Sequence, residues 1–231
     1  MKPYKCIFFD LDHTLWDYET NSCDTLRELY SSYNLNTCGI GDCDSFEKQF
    51  KKVNLQLWDL YDRGVIGSDV IRKERFKQIL EFFQIFDEQL CEKMSVEYLD
   101  ICPKKGSLIP HAMETLQYLS GKYPMTVVTN GFEEIQHVKM TAGNLHGFFQ
   151  HVITSQKAGH KKPSREIFEY AMKVNGVTNE EVIMIGDNLL TDIGGALNAS
   201  IDPVFYNPDK IEHTVSVKHE IRSLAELQNI L

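Results

Sequence analysis

The sequence has no Cys-x-x-Cys pair, although it carries six cysteines: Cys6, Cys23, Cys38, Cys43, Cys91 and Cys102. That spacing argues against a zinc site or a disulfide framework and for reduced thiols, several of them in the core. No uninterrupted apolar stretch approaches the ~18–20 residues that a membrane helix needs. The first apolar run is too short for a signal peptide before Asp10 interrupts it, so a cytoplasmic chain is expected. Positive charge is also in deficit, with 24 Lys+Arg against 33 Asp+Glu and a formal net charge of -9. A surface of that sign repels a polyphosphate backbone and disfavours a general nucleic-acid binder. A small phosphate ester, by contrast, needs only one local cationic pocket. Internal repeats and low-complexity tracts are missing too.

What is present is ordinary for a soluble globular protein: 42% hydrophobic and 25% charged residues. A length of 231 residues suits one core domain carrying a sizeable insertion. Apolar runs at Cys6–Phe9, Met125–Val128, Val152–Ile153 and Val182–Ile185 each end abruptly in polar residues. Alternating with helical stretches, they read as buried parallel strands, with Pro203–Tyr206 a fifth and Lys218–Ile221 a sixth. Helices are expected over Pro110–Ser120, Ser164–Val174 and Leu190–Ala199, the second starting at a capping serine. More than a single crossover helix separates the first two strands. That segment carries apolar residues at helical spacing, notably Phe46, Phe50, Val53, Leu57 and Leu60 behind an Asp44-x-x-Glu47 capping box. Gly64 suits the end of that helix, and a further helix is expected over Ser68–Phe86. The fold class is therefore α/β, a doubly wound, mainly parallel sheet with an all-helical insertion after strand one. Its segments are residues 1–15 and 93–231 for the core and 16–92 for the insertion, with hinges expected near Trp16–Glu19 and Cys102–Leu108.

In an open parallel sheet, ligands bind outside the carboxyl ends of the strands. Asp10 and Asp12 follow strand one, Thr129 and Asn130 follow strand two, Lys162 lies in the loop after strand three, and Asp187 and Asp192 follow strand four. Carboxylates gathered there repel one another unless a cation sits among them, and hard oxygen ligands select Mg²⁺. A lysine and a threonine supply donors for phosphoryl oxygens. An aspartate can attack phosphorus to form an aspartyl-phosphate, and a second one can protonate the leaving oxygen and then activate water. Any one of these elements alone is a common turn or helix cap; four in order at successive strand ends are a site.

Asp10-Leu11-Asp12-His13-Thr14-Leu15, Thr129-Asn130-Gly131, Lys162-Pro163 and Gly186-Asp187-Asn188-Leu189-Leu190-Thr191-Asp192 together resemble the haloacid dehalogenase (HAD) superfamily. The resemblance covers nearly the whole chain, and it implies a Rossmann-like core with a type C1 helical cap. It implies Asp10 as nucleophile and Asp12 as acid/base, with Mg²⁺ held by Asp10, the backbone carbonyl of Asp12, and Asp187. Thr129, the Asn130 amide and Lys162 would bind phosphate, Asp192 would position a metal-bound water or Lys162, and Thr14 would brace the loop. Dehalogenases of this superfamily lack the second aspartate, so Asp12 implies phosphate chemistry.

The stretches from Asn54 to Phe76 and from Thr129 to Phe132 resemble the pyrimidine 5'-nucleotidase (YjjG-like) branch. This implies a small phosphorylated metabolite as the partner, a nucleoside 5'-monophosphate such as dUMP or dTMP, with Trp58 and Arg75 as candidates to meet the base. A phosphoglycolate or sugar-phosphate phosphatase or a phosphomutase is the alternative within the family. A non-catalytic, Asp-phosphorylated signalling module is the alternative outside it. Lys161 adjoins Lys162 and is a second candidate for its role.

Overall fold

A computed structural model describes residues 4–231, so the first three residues of the expected core segment lie outside the described residues. Six strands form one all-parallel sheet: β1 (Cys6–Phe9), β2 (Met125–Thr129), β3 (His151–Thr154), β4 (Val182–Gly186), β5 (Asp202–Tyr206) and β6 (His219–Ile221). Their order is β3-β2-β1-β4-β5-β6. The apolar runs are strands because both faces are covered, and every residue of β1, β2 and β4 is buried. Successive strands are laid outward on one side of β1 and then on the other, starting with β4. The winding thus reverses between β1 and β4, which are paired with Phe9 beside Ile185. The carboxyl ends of those strands form the crevice where such sheets take ligands.

Among the core helices are α5 (Ala112–Ser120), α6 (Glu133–Ala142), α7 (Ser155–Ala158), α8 (Arg165–Asn175) and α9 (Gly195–Asn198); the labels leave α1–α4 for the insertion, α1 (Tyr18–Ser32), α2 (Cys43–Asp62), α3 (Ser68–Phe82) and α4 (Glu88–Ile101). On α8, Ile167, Phe168 and Ala171 turn inward onto Phe8, Val128 and Met184 of the sheet. It stops at Gly176, whose φ of 64° only a glycine adopts without strain and whose N–H caps Met172 and Lys173 carbonyls. Ser164 precedes α8, but its hydroxyl donates to Glu166 and caps no backbone N–H. Pro110 lies before α5, not in it, because His111 takes a left-handed φ of 67° at the helix start. The expected helix over Leu190–Ala199 is instead a wide π-type turn, Leu189–Gly194, followed by the short α9.

Packing divides the chain into two compact units, one with the residues up to Tyr18 together with Gly106–Leu231, the other Glu19–Lys105. The sequence-based boundary at residue 92 would cut α4, which buries Cys91, Met94 and Tyr98 in the helical unit; the change of unit therefore falls after that helix. Within this unit Phe50 meets Phe76 and Tyr98 with ring centroids 5.7 and 5.0 Å apart. Asp42, not Asp44, caps α2 by accepting from Ser45 N, and Glu47 pairs with Arg27. Gly64 follows that helix at a φ of 78°, and α3 stops at Phe82, four residues short of Phe86. The six cysteines are free thiols, and no helix among the described residues is long and apolar enough to cross a membrane.

Phe168 packs under Gly195 of α9. It is fully buried, and a Cβ at Gly195 would lie 2.5 Å from its ring and 3.1 Å from Pro163 Cα, so α8 and the Lys162-Pro163 turn both close on the start of α9 at a glycine. Phe168→Ala should lower the unfolding free energy by about 3–5 kcal/mol. Urea denaturation checks this, and a loss below about 1 kcal/mol would mean that the ring is not a packing centre.

Candidate functional site

The site starts where β1 ends. Asp10 N donates to Ile185 O at 2.9 Å, so β4 fixes the backbone from which the carboxylate projects, and Asp10 is only 7% exposed. Lys162 is buried beside it. Its Nζ donates to Asp10 Oδ1 at 2.5 Å and to Asp192 Oδ1 at 2.6 Å. The lysine loop is pinned to the end of β2 by the Asn130 side chain, which donates to Lys162 O at 2.9 Å and accepts from Lys162 N at 2.8 Å. Asn130 thus has a side-chain function beyond the backbone amide expected of it.

Asp192 reaches this lysine because of the wide turn. Both Asp192 N and Ile193 N donate to Asn188 O, at 3.0 and 3.1 Å, and this doubling opens the turn. Asn188 Oδ1 caps it by accepting from Leu190 N and Thr191 N, while Asn188 N donates to Asp192 Oδ2 at 3.0 Å. Gly186 is required below: a Cβ there would lie 2.5 Å from Asp192 Cβ and Cγ. Asp187 is held by Thr14, whose hydroxyl donates to Oδ1 at 3.0 Å. Single carboxylate oxygens of Asp10, Asp187 and Asp192 lie within 4.8 Å of one another.

The electrostatics follow from this crowding. Burial pushes the Asp10 carboxyl well above its ordinary range; Lys162 opposes that, and the charges of Asp192 and Asp187 add to it. Burial and Asp192 push Asp187 up to about 7. Burial alone would lower Lys162, but Asp10 and Asp192 outweigh it and keep the ammonium charged. Three carboxylates against one ammonium leave a buried excess of negative charge made of hard oxygen donors. That donor set fits a divalent cation of the Mg²⁺ type, which takes carboxylates and retains water.

Asp12 stands apart from that carboxylate cluster. Its Oδ1 accepts from Lys139 Nζ at 2.6 Å and its Oδ2 from Gln136 Nε2 at 2.9 Å, both from α6. Burial would raise this carboxyl, yet the Lys139 charge and the two hydrogen bonds hold it below its ordinary value. Thr129, at the end of β2, accepts from Gly131 N at 3.1 Å and from Gln136 Nε2 at 2.8 Å. With both lone pairs taken, its hydroxyl hydrogen is left as a donor.

Asp10, Lys162, Asp187, Asp192 and Thr14 are therefore brought together, and Asp12 and Thr129 are linked through Gln136. Trp58 and Arg75 belong to the other unit. Trp58 is half-buried with Tyr61 edge-on at 5.5 Å, and Arg75 is enclosed, 4.4 Å from the Tyr98 ring centroid, donating to Asn54 Oδ1. Arg75 is thus an interior residue of the helical unit, not a solvated one. Sequence reasoning missed Gln136 and Lys139. The available signal was their i, i+3 spacing just after Thr129-Asn130-Gly131, which puts both on one face of α6.

Comparison with known proteins bears on this arrangement. The pyrimidine 5'-nucleotidase YjjG of Escherichia coli is 28% identical, over 94% of this chain and 96% of its own. The glyceraldehyde 3-phosphate phosphatase of Pyrococcus furiosus is 35% identical, over 100% of this chain and 94% of its own. A crystal structure of the HAD-hydrolase YfnB from Bacillus subtilis, bound to magnesium, superposes with a TM-score of 0.89 at 27% identity, covering 99% of both chains. The family model of the haloacid dehalogenase-like hydrolases matches residues 4–200, and the chain belongs to that family of enzymes.

Proposed function

We propose that the protein is a Mg²⁺-dependent phosphomonoester hydrolase acting through an aspartyl-phosphate at Asp10, with nucleoside 5'-monophosphates as substrates. The observation that carries this is the separation of two aspartates two residues apart. Asp10 joins the Lys162, Asp187 and Asp192 cluster, while Asp12 is held outside it by Lys139 and Gln136. A hydrolase that first bonds its own carboxylate to phosphorus and then breaks that bond with water needs this division between a nucleophile and a proton carrier.

In the first half-reaction an Asp10 oxygen attacks phosphorus, the ester P–O bond breaks, and the leaving oxygen takes a proton from Asp12. Asp12, ionised at the outset, first takes that proton from the phosphomonoester monoanion and then passes it to the leaving oxygen. In the second half-reaction Asp12 removes a proton from water, the water oxygen bonds to phosphorus, the bond to Asp10 breaks, and the departing phosphate carries the proton off Asp12 again. Lys162 opposes protonation of Asp10 and donates to the transferring oxygens, the Thr129 hydroxyl supplies another donor, and Asn130 keeps the lysine loop in register. Asp10, Asp187 and the Asp12 carbonyl would hold Mg²⁺, with Asp192 fixing Lys162; the ion supplies charge neutralisation of the phosphoryl group when bound. The helical unit, residues 19–105, is read as the cap that selects the ester, with Trp58 its aromatic candidate for stacking on a base.

The nucleotide assignment is supported by the pyrimidine 5'-nucleotidases YjjG and PynA, each aligned over almost the whole chain. The glyceraldehyde 3-phosphate phosphatases support the second reading, a small sugar-phosphate substrate. A panel of dUMP, dTMP, phosphoglycolate, glyceraldehyde 3-phosphate and p-nitrophenyl phosphate separates the two. The expected result is faster turnover of dUMP and dTMP than of the aryl ester; equal or slower turnover would remove the nucleotide claim. Asp10→Asn should abolish turnover with the fold retained, and residual activity at wild-type rate would remove the nucleophile. Asp12→Asn should slow turnover by roughly 10²–10⁴-fold and let phospho-enzyme accumulate, read by acid quench of labelled enzyme. Added Mg²⁺ should raise the melting temperature of the wild type and raise it less in Asp187→Asn. Equal shifts would place the ion elsewhere.

A further inference from the structure

Helix α6 carries two buried polar side chains one turn apart that neither the metal-binding cluster nor phosphate binding accounts for. Gln136 is fully buried and Lys139 is 6% exposed. Each donates to a different oxygen of Asp12, so the carboxylate is gripped at both ends and its plane is set. Lys139 is held in turn, with Nζ 4.5 Å from the Trp16 ring centroid and 5.8 Å from that of Tyr18. The Gln136 amide also donates to Thr129, so one NH₂ group bridges the proton carrier and the phosphate-binding hydroxyl.

Two details show that packing alone does not call for this arrangement. Gln136 Oε1 is buried without a hydrogen-bond partner, so the side chain leaves one end unsatisfied in order to place the other. The turn after β2 leaves room for it as well: a Cβ at Gly131 would lie 2.0 Å from Gln136 Nε2, so any larger residue there would displace the amide from this place.

We infer that Gln136 and Lys139 are a positioning pair that fixes the Asp12 carboxylate for proton transfer to the leaving oxygen and orients the Thr129 hydroxyl toward phosphate. This rests on the phosphatase reading above. Neither residue touches the ester; both act through Asp12 or Thr129. A loosened proton carrier penalises esters whose leaving oxygen is basic far more than those whose leaving group departs unaided. A loss of packing alone slows every ester alike.

The test measures kcat/KM for a series from p-nitrophenyl phosphate to alkyl phosphates of rising leaving-group pKa. Wild type, Lys139→Met, Lys139→Arg and Gln136→Met are compared after far-UV circular dichroism shows each to be folded. Lys139→Met should lower kcat/KM by about 10²-fold or more for the alkyl esters and by less than about 10-fold for the aryl ester. Lys139→Arg, which keeps a charged donor, should restore most of the loss. Gln136→Met should steepen the same dependence and also raise KM, because Thr129 loses its partner; it carries the test if Lys139→Met does not fold. An equal loss across the series in the folded variants would overturn the pair's role while leaving the phosphatase reading intact. A wild type that turns over none of these esters would instead remove the phosphatase reading itself.

Discussion

One ammonium group organises the carboxyl ends of the sheet. Asp10 and Asp192 could not be buried side by side as anions without Lys162 between them, since an unpaired buried charge costs several kcal/mol. Much of the surrounding structure serves to keep that Nζ where it is. Asn130 clasps the lysine backbone from β2, Gly195 lets Phe168 and the following proline approach α9 closely, and the wide turn after β4 swings Asp192 back over a glycine that has no Cβ to obstruct it. Still, one positive charge does not balance three carboxylates. The remaining imbalance shows in the raised Asp10 and Asp187, and a further cation among the three carboxylates would relieve it.

The same surroundings give the two aspartates of strand one opposite characters. Asp10 is crowded by like charge and driven toward protonation, while Asp12 is paired with its own lysine and driven toward ionisation. Two residues of one chain are thus separated by environment, not by chemistry, and the proposed reaction uses this division, with one to bond phosphorus and the other to handle protons.

Much of this was legible in the sequence because the signals were local. Fully buried strands are rich in apolar residues, so Cys6–Phe9 and Val182–Ile185 announced themselves, and Asp10 and Asp187 stand just past their ends. What stayed hidden depended on tertiary neighbours. Lys139 and Gln136 carried no mark of their place, since no periodicity reveals that a polar helix face is turned inward onto a carboxylate. The turn at Leu189–Gly194 kept helical composition and differs only in the width set by Asn188, which side-chain patterning cannot register. The end of the insertion was misplaced because α4 has the same apolar spacing as the helices before it, and only its packing assigns it to them.

The neck of the insertion carries a last consequence. Before the chain leaves the core and after it returns, Asp17 N donates to Ser107 O at 3.0 Å, Ile109 N donates to Leu15 O at 2.9 Å, and Trp16 bridges Leu108. To the core, then, all of Glu19–Lys105 is a single loop whose mouth is already sewn shut by backbone hydrogen bonds. Closure entropy grows only with the logarithm of loop length, so the number of residues beyond the stitch hardly affects the stability of what lies below it. Natural variation can therefore lengthen, shorten or replace that loop while the carboxylates and Lys162 keep their places, and the two halves of the protein are free to evolve at different rates.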